Sequence, residues 1–125
     1  MSLSRFFLAC GALVMASGVA LGAYAAHAAK GAAHPEAARL LQTAVQYQLV
    51  HGLGILAMGV LARWGASPWL GAAGGLLLAG VALFCGSLWV LALTMHSLGP
   101  AAPLGGLAFI AGWLALAVHA LRIRT

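Results

Sequence analysis

Glu36 is the only acidic side chain in this chain of 125 residues. Water-soluble domains keep about a quarter of their residues charged, whereas here 6% are charged and 64% are hydrophobic. A chain of this composition has too little polar surface to face water, so its solvent must be lipid. The sequence therefore predicts an integral membrane protein.

Four apolar stretches predict four membrane-spanning helices, at about residues 6–27, 44–62, 69–94 and 104–121. Each approaches or exceeds the ~20 residues that carry an α-helix across ~30 Å of hydrocarbon. None has a charged residue in its interior. The short connections between them predict antiparallel neighbours. The predicted fold is all-α, a single up-down bundle of four transmembrane helices over residues 1–125.

The second helix is expected to begin before its apolar part. Pro35 followed by Glu36 is a helix-start signal, because proline suits the first helical position and an acid suits the first turn. The segment Arg39–Gln48 carries three glutamines, so we expect it at the membrane interface or packed against protein. Turns are predicted at Lys30–His34, Arg63–Pro68 and His96–Pro103.

The first span also has features of a secretory signal, since Arg5 precedes an apolar run. The run from Phe6 to Ala26 is longer than the ~7–15 residues of a signal's apolar region. We therefore expect the first span to be retained as a membrane helix.

The distribution of positive charge predicts the orientation in the membrane. With four spans, both termini share one side with the middle turn. Four arginines belong to that side and two cations to the other. Because positive residues favour the cytoplasmic side, we expect a multi-pass protein of the bacterial cytoplasmic (inner) membrane with both termini in the cytoplasm. The two sets are Arg5, Arg63, Arg122 and Arg124 against Lys30 and Arg39.

Polar side chains inside the spans are the candidate functional residues, because polar groups are costly in hydrocarbon. Tyr24 and His27 share one face of the first helix, and Tyr47 and His51 share one face of the second. Helical rise places Tyr24, Tyr47, His51 and Cys85 in the half of the bundle farther from the termini. We therefore expect a polar pocket between the first two helices. The candidate ligand-binding residues are Tyr24, His27, Tyr47, His51 and Cys85.

Metal, haem and catalytic chemistry find little support in the sequence. The depths of His27 and His51 differ by ~13 Å, whereas zinc needs nitrogen ligands at about 2 Å. Ser87 and Cys85 have no carboxylate nearby to complete a nucleophilic site. We therefore predict no catalytic residue, no metal and no cofactor. The scattered cations do not form a nucleic-acid-binding surface either.

Two functional hypotheses lead, and a metal or haem site is kept as a third with less support. Charge-free spans rich in small residues indicate a structural or accessory protein, acting alone, as a homo-oligomer or within a larger membrane complex. Close helix contacts are expected at small residues four apart, as in Gly18–Gly22, Gly71–Gly75 and Ala108–Gly112. The alternative is binding or transport of a hydrophobic small molecule, such as a lipid or quinone, in the Tyr/His pocket.

Several segments resemble the motifs of one known family. Gly22–His27 looks like its "GAxGAH" motif, and Tyr47–His51 looks like its "YxxxH" motif. Leu83–Trp89 is similar to "LFsGSxY". Ala102–Gly106 together with Gly112-Trp113 is similar to "tPxGG…GW". Each motif alone is weak, but their order and spacing extend over nearly the whole chain.

The family is domain of unknown function 423, small bacterial inner-membrane proteins similar to eukaryotic transmembrane protein 256. The resemblance implies four membrane helices and no established activity or ligand. Three positions depart from the motifs, since Ala26, Trp89 and Ala102 stand where the family has glycine, tyrosine and threonine. A role that needs a phenol at position 89 or a hydroxyl at position 102 is therefore not expected.

Overall fold

The computed structural model describes residues 1–31 and 35–124, so residues 32–34 of the predicted first turn lie outside the described part. Four helices in it are long and apolar enough to cross a membrane. They are α1 (Leu3–Gly31), α2 (Pro35–Leu61), α3 (Pro68–Thr94) and α4 (Ala101–Arg122). The predicted all-α bundle of four membrane helices is thus confirmed.

Local signals in the sequence explain where several helices begin and end. The helix α2 starts at Pro35, as the Pro35-Glu36 pair predicted. The hydroxyl of Ser67 caps α3 by accepting a hydrogen bond of 3.1 Å from the Leu70 N–H. The α-helical part of α3 ends before Met95, which adopts a left-handed conformation with φ 59°.

One predicted boundary was wrong. The helix α4 begins at Ala101, so Pro103 lies in its first turn instead of in the preceding loop. Proline is tolerated there because the first N–H groups of a helix have no intrahelical partner to lose.

The helix α3 contains a π-helical turn at Val81–Cys85, between the α-helical segments Pro68–Gly80 and Gly86–Thr94. The Gly86 N–H reaches the Val81 carbonyl five residues back. The wider turn inserts one extra residue and brings the backbone of Phe84 against α4. A Cβ at Gly105 would overlap the backbone nitrogen of Phe84. Glycine at position 105 is therefore required by the bulge on the facing helix.

The helices form two antiparallel hairpins, α1–α2 and α3–α4, and α2 is also packed against α3. In the first hairpin, glycines alternate between the helices and each faces a large side chain. Cβ atoms at Gly11 and Gly18 would lie 2.8 Å from Leu56 and Leu49 of α2. At other levels of the hairpin the glycine belongs to α2 and the large side chain to α1. There Gly52 faces Met15, and Gly59 faces Leu8.

The second hairpin, α3–α4, also places glycines opposite large side chains. Gly80 of α3 faces the Phe109 ring, and Gly112 of α4 faces Leu77. Gly18 and Gly112, predicted as helix-contact positions, thus serve contacts within one subunit. Gly75 differs, because no atom lies within 4 Å of a Cβ built there.

The most enclosed helix is α2, with 50% of its most apolar window buried. Its buried Gln48 donates hydrogen bonds to the Val14 carbonyl (3.2 Å) and the Ser17 hydroxyl (2.9 Å) of α1. Gln48 is thus packed against protein, as one of the outcomes expected for this segment. The charged side chains are exposed, as solvation in the polar boundary requires; they are Arg5, Lys30, Glu36, Arg39, Arg63, Arg122 and Arg124.

Candidate functional site

Tyr47 and His51 belong to an aromatic cluster that joins α2 to α3 and α4. The imidazole of His51 is stacked on the Phe109 ring, with centroids 3.5 Å apart and planes 16° apart. Tyr47 contacts Phe84 at 4.6 Å between centroids, and Trp113 lies 6.0 Å from His51. The cluster bridges α2 and α4 through side chains.

The hydrogen bond of His51 stays within its own helix. Its Nδ1 lies 2.7 Å from the Tyr47 carbonyl, which can only accept, so Nδ1 carries the proton. In the neutral imidazole this leaves Nε2 as an acceptor. His51 is 6% exposed, so its position is that of a packed interior histidine.

Tyr24 and His27 lie elsewhere. Tyr24 is 51% exposed and contacts Trp89 of α3, with centroids 6.2 Å apart. His27 is exposed, and its Nδ1 lies 3.4 Å from the Ala23 carbonyl of the same helix. Cys85, the fifth candidate, is buried within the π turn with 1% of its surface exposed.

The structure therefore does not gather the five candidates into one pocket. It brings Tyr47 and His51 together on the side of α2 that meets α3 and α4. Tyr24 lies at the contact of α1 with α3. The two pairs occupy different faces because the side of α2 that contacts α1 carries Gln48, Gly52 and Gly59 instead. A ligand role for these residues stays a prediction.

Trp89 carries the one buried polar side-chain atom without a hydrogen-bond partner among the described residues, its indole Nε1. Its side chain is 8% exposed. An unpaired donor in a dry environment costs free energy. Tyrosine is the motif residue at this position in the family that the sequence resembles, so the orphan N–H is a departure of this chain.

A groove does lie between α1 and α2, at the end of the bundle opposite the chain termini, which we call the outer end. Its volume is about 630 Å³, within the range of small-molecule sites. None of the five predicted residues lines it. Its walls are Gly22, Ala25 and Ala26 of α1, and Ala38, Arg39, Gln42, Val45, Gln46 and Leu49 of α2.

The groove changes character along its length. Arg39, Gln42 and Gln46 form a polar stripe on α2, since residues three and seven apart share a helix face. Leu49 lies ~15 Å deeper than Arg39 along the helix. It faces Gly18 of α1, and Val45 faces Gly22. The groove is thus polar at the outer end and apolar toward the middle of the membrane.

Composition contained a signal for this stripe. Arginine and glutamine recur within the first three turns of an otherwise apolar helix, and the sequence predicts this segment at the membrane interface or packed against protein. What the sequence could not show is that small residues of α1 leave space beside it. The π turn had no comparable sequence signal, and neither had the contact between the Phe84 and Phe109 rings, whose centroids lie 5.7 Å apart.

Metal binding has no ready site in the part of the chain that the structure describes. No group of three or more His, Cys, Asp or Glu side chains comes close enough to hold an ion. The two cysteines are free, with Cys85 buried and Cys10 half-buried.

Comparison with known proteins places the chain among membrane proteins of the same size. A family model described as "Protein of unknown function (DUF423)" matches residues 21–106. The UPF0382 membrane protein SH2409 of Staphylococcus haemolyticus is 42% identical over 115 residues, 91% of this chain and 93% of that protein. No solved structure matches the chain.

Relatives occur in distant bacteria. The UPF0382 membrane protein YwdK of Bacillus subtilis is 37% identical over 120 residues, covering 94% of this chain and 98% of that protein. The UPF0382 inner membrane protein YgdD of Escherichia coli K12 is 36% identical over 122 residues, which cover 97% of this chain and 93% of that protein. None of these names denotes an enzymatic activity.

Fold and groove together define a small multi-pass membrane protein built from two antiparallel helix hairpins. The chain belongs to the DUF423 family, as its motifs predicted. Residues of all four motif segments form aromatic pairs with ring centroids less than 7 Å apart. The pairs are Tyr47 with Phe84, Tyr24 with Trp89, and His51 with Trp113.

Proposed function

We propose that this protein binds an amphiphilic small molecule of the membrane, a lipid or a quinone, in the groove between α1 and α2. The observation that carries the proposal is the groove itself, about 630 Å³ between two membrane-spanning helices. Binding sites for small molecules combine largely apolar walls with a few polar groups that fix orientation. Here Arg39, Gln42 and Gln46 supply the polar groups.

Exposure of the lining supports access from the bilayer. Ala26 of α1 and Gln42 and Gln46 of α2 are exposed, so a ligand can enter sideways from the surrounding lipid. The amphiphile would lie with its polar end at the outer end of the bundle and its apolar part beside Leu49.

The experiment is extraction of the protein in native-membrane particles, followed by detergent washing and mass spectrometry of the retained small molecules. Ala26→Leu adds bulk inside the groove, whereas Ala111→Leu adds the same bulk at an exposed position of α4. We expect the parent and Ala111→Leu to retain the same molecule and Ala26→Leu to lose it. Equal retention by all three would place binding outside the groove.

A second candidate is the structural or accessory role, in a homo-oligomer or a larger complex. It is favoured by the outward face of α3, where Ala72, Gly75 and Ala79 are exposed and would let another helix approach closely. Mass measurement of single particles in native lipid tests this role. A strict monomer without co-purifying protein would remove it, and Gly75→Leu should lower any association.

We further propose that the protein resides in the bacterial cytoplasmic membrane with both termini in the cytoplasm. The four arginines near the terminal side, against Lys30 and Arg39 at the outer end, support this orientation. The relative from Escherichia coli is named an inner membrane protein.

A further inference from the structure

The polar stripe of the groove is cationic. Arg39 is the only charged residue among those that line it, and none of the lining residues is acidic. Gln42 and Gln46 add two amide groups, each with two N–H donors. A neutral ligand such as a quinone could use the amides but would make no use of the guanidinium charge. The lining therefore favours an anion at this end.

The geometry of arginine narrows the class of anion. Its planar guanidinium presents paired N–H donors that match the oxygens of phosphate. Arg39 is the fifth residue of α2 and lies one turn after Glu36, near the N-terminal end of the helix at Pro35. A phosphate at this level would sit at the polar boundary of the membrane.

The apolar part of the groove favours an anion that carries a hydrocarbon chain. Gly22 and Leu49 lie deeper in the membrane than Arg39, and the groove is continuous from one to the other. Its volume of about 630 Å³ would hold a head group and the upper part of one acyl chain, with the rest in the bilayer.

Resting on the proposed function, we propose that the ligand is a phospholipid. Its phosphate is bound by Arg39, with Gln42 and Gln46 donating to the remaining oxygens. One acyl chain runs past Gly22 toward Leu49. The site thus recognises the phosphate of an outer-leaflet lipid and not a soluble phosphate.

The test measures binding to the full chain in detergent by native mass spectrometry. The probes are phosphatidylglycerol, diacylglycerol with the same acyl chains, and glycerol phosphate. We expect phosphatidylglycerol to bind at least about tenfold more tightly than diacylglycerol, as one charge-assisted contact provides. Glycerol phosphate should not bind measurably.

Single substitutions test which residue causes the preference for phosphatidylglycerol. Arg39→Gln should abolish the advantage of phosphatidylglycerol over diacylglycerol and leave diacylglycerol binding unchanged. Arg63→Gln, at the opposite end of the bundle, is the matched control and should change neither. Ala26→Leu should weaken both lipids. Arg39 is exposed, so its replacement should not impair folding, and protection of the buried Cys85 thiol verifies this for each variant.

Failure of the two proposals can be told apart. Equal binding of both lipids, weakened by Ala26→Leu, would overturn phosphate recognition and retain the groove as an amphiphile site. Binding that Ala26→Leu does not affect would overturn the groove itself. Loss of the preference in Arg63→Gln but not in Arg39→Gln would assign the phosphate to the inner end. Binding of glycerol phosphate would identify a soluble ligand instead of a lipid.

Discussion

The imidazole of His51 lies almost flat on the ring of Phe109, with centroids 3.5 Å apart. The two residues belong to helices α2 and α4, which are not sequential neighbours. The contact therefore joins the two hairpins at the level of the π turn. It gives His51 a packing role whether or not a ligand binds nearby.

Replacement of His51 should separate packing from ligand binding. His51→Ala removes a stacked ring and leaves a cavity, so we expect the free energy of unfolding to fall by roughly 1–3 kcal/mol. His51→Phe keeps the stack and should recover most of the loss. Heat-induced labelling of the Cys85 thiol in a Cys10→Ser background measures both. Unchanged stability of His51→Ala, with loss of a co-purifying small molecule, would support a ligand role instead.

Gly105 should tolerate no side chain. Gly105→Ala places a methyl group against the Phe84 backbone, and overpacking of this kind costs about 1–3 kcal/mol. Gly75→Ala is the matched control, since nothing lies within 4 Å of its Cβ. It should be neutral or stabilise by up to ~1 kcal/mol, because alanine is the better helix former. Equal melting temperatures for the two variants would contradict the close approach of α4 to the π turn.

Trp89 should be replaceable by phenylalanine at little cost. The substitution loses some packing area but removes the unpaired indole N–H, and the two effects oppose each other. We expect the unfolding free energy to change by less than about 1 kcal/mol. The measurement is thermal unfolding in detergent and again in lipid particles. A loss well above this size in lipid alone would show that the N–H finds an acceptor in the membrane.

Gln48 and Ser17 should be energetically coupled. Their hydrogen bond of 2.9 Å joins α1 to α2, and such bonds between membrane helices contribute on average ~0.6 kcal/mol. A double-mutant cycle with Gln48→Ala and Ser17→Ala should give a coupling of about this size and favourable sign. A cycle of Gln48→Ala with Ala79→Leu, on the outer face of α3, should be additive.

The orientation can be read from reporters fused to each end of the chain. A fluorescent protein that folds only in the cytoplasm should be active at both termini, and a phosphatase active only outside should be silent at both. Replacing Arg122 and Arg124 by glutamine should weaken the bias, because four arginines would become two. Opposite results at the two termini would contradict a four-span topology.

Much of the fold could be predicted because lipid imposes simple requirements. The scarcity of charge and the lengths of the apolar runs indicated four helices, since backbone groups in hydrocarbon must be paired internally. The start of α2 was readable from Pro35-Glu36. The end of the third loop could not be read from the sequence, because Pro103 is compatible with both a loop and a first helical turn.

Less of the candidate site than of the fold could be predicted from the sequence. Tyr47 and His51 were correctly placed on one face of α2, but helical spacing cannot show which neighbour that face meets. Glycines of α2 let α1 pack closely against one side of that helix. The side that carries Tyr47 and His51 therefore meets α3 and α4. Arg39 and Gln42 were visible as polar residues, and the groove beside them exists only through the small side chains of α1.

The sequence by itself determined the solvent of this protein, the number of its helices and the family to which it belongs, because these depend on composition, length and order of residues. Only the tertiary structure decided which polar groups share a surface. It separated Tyr24 from Tyr47, inserted the π turn opposite Gly105, and opened the groove at Arg39. The reason is that such relations arise from the packing of side chains between helices, which no single helix encodes.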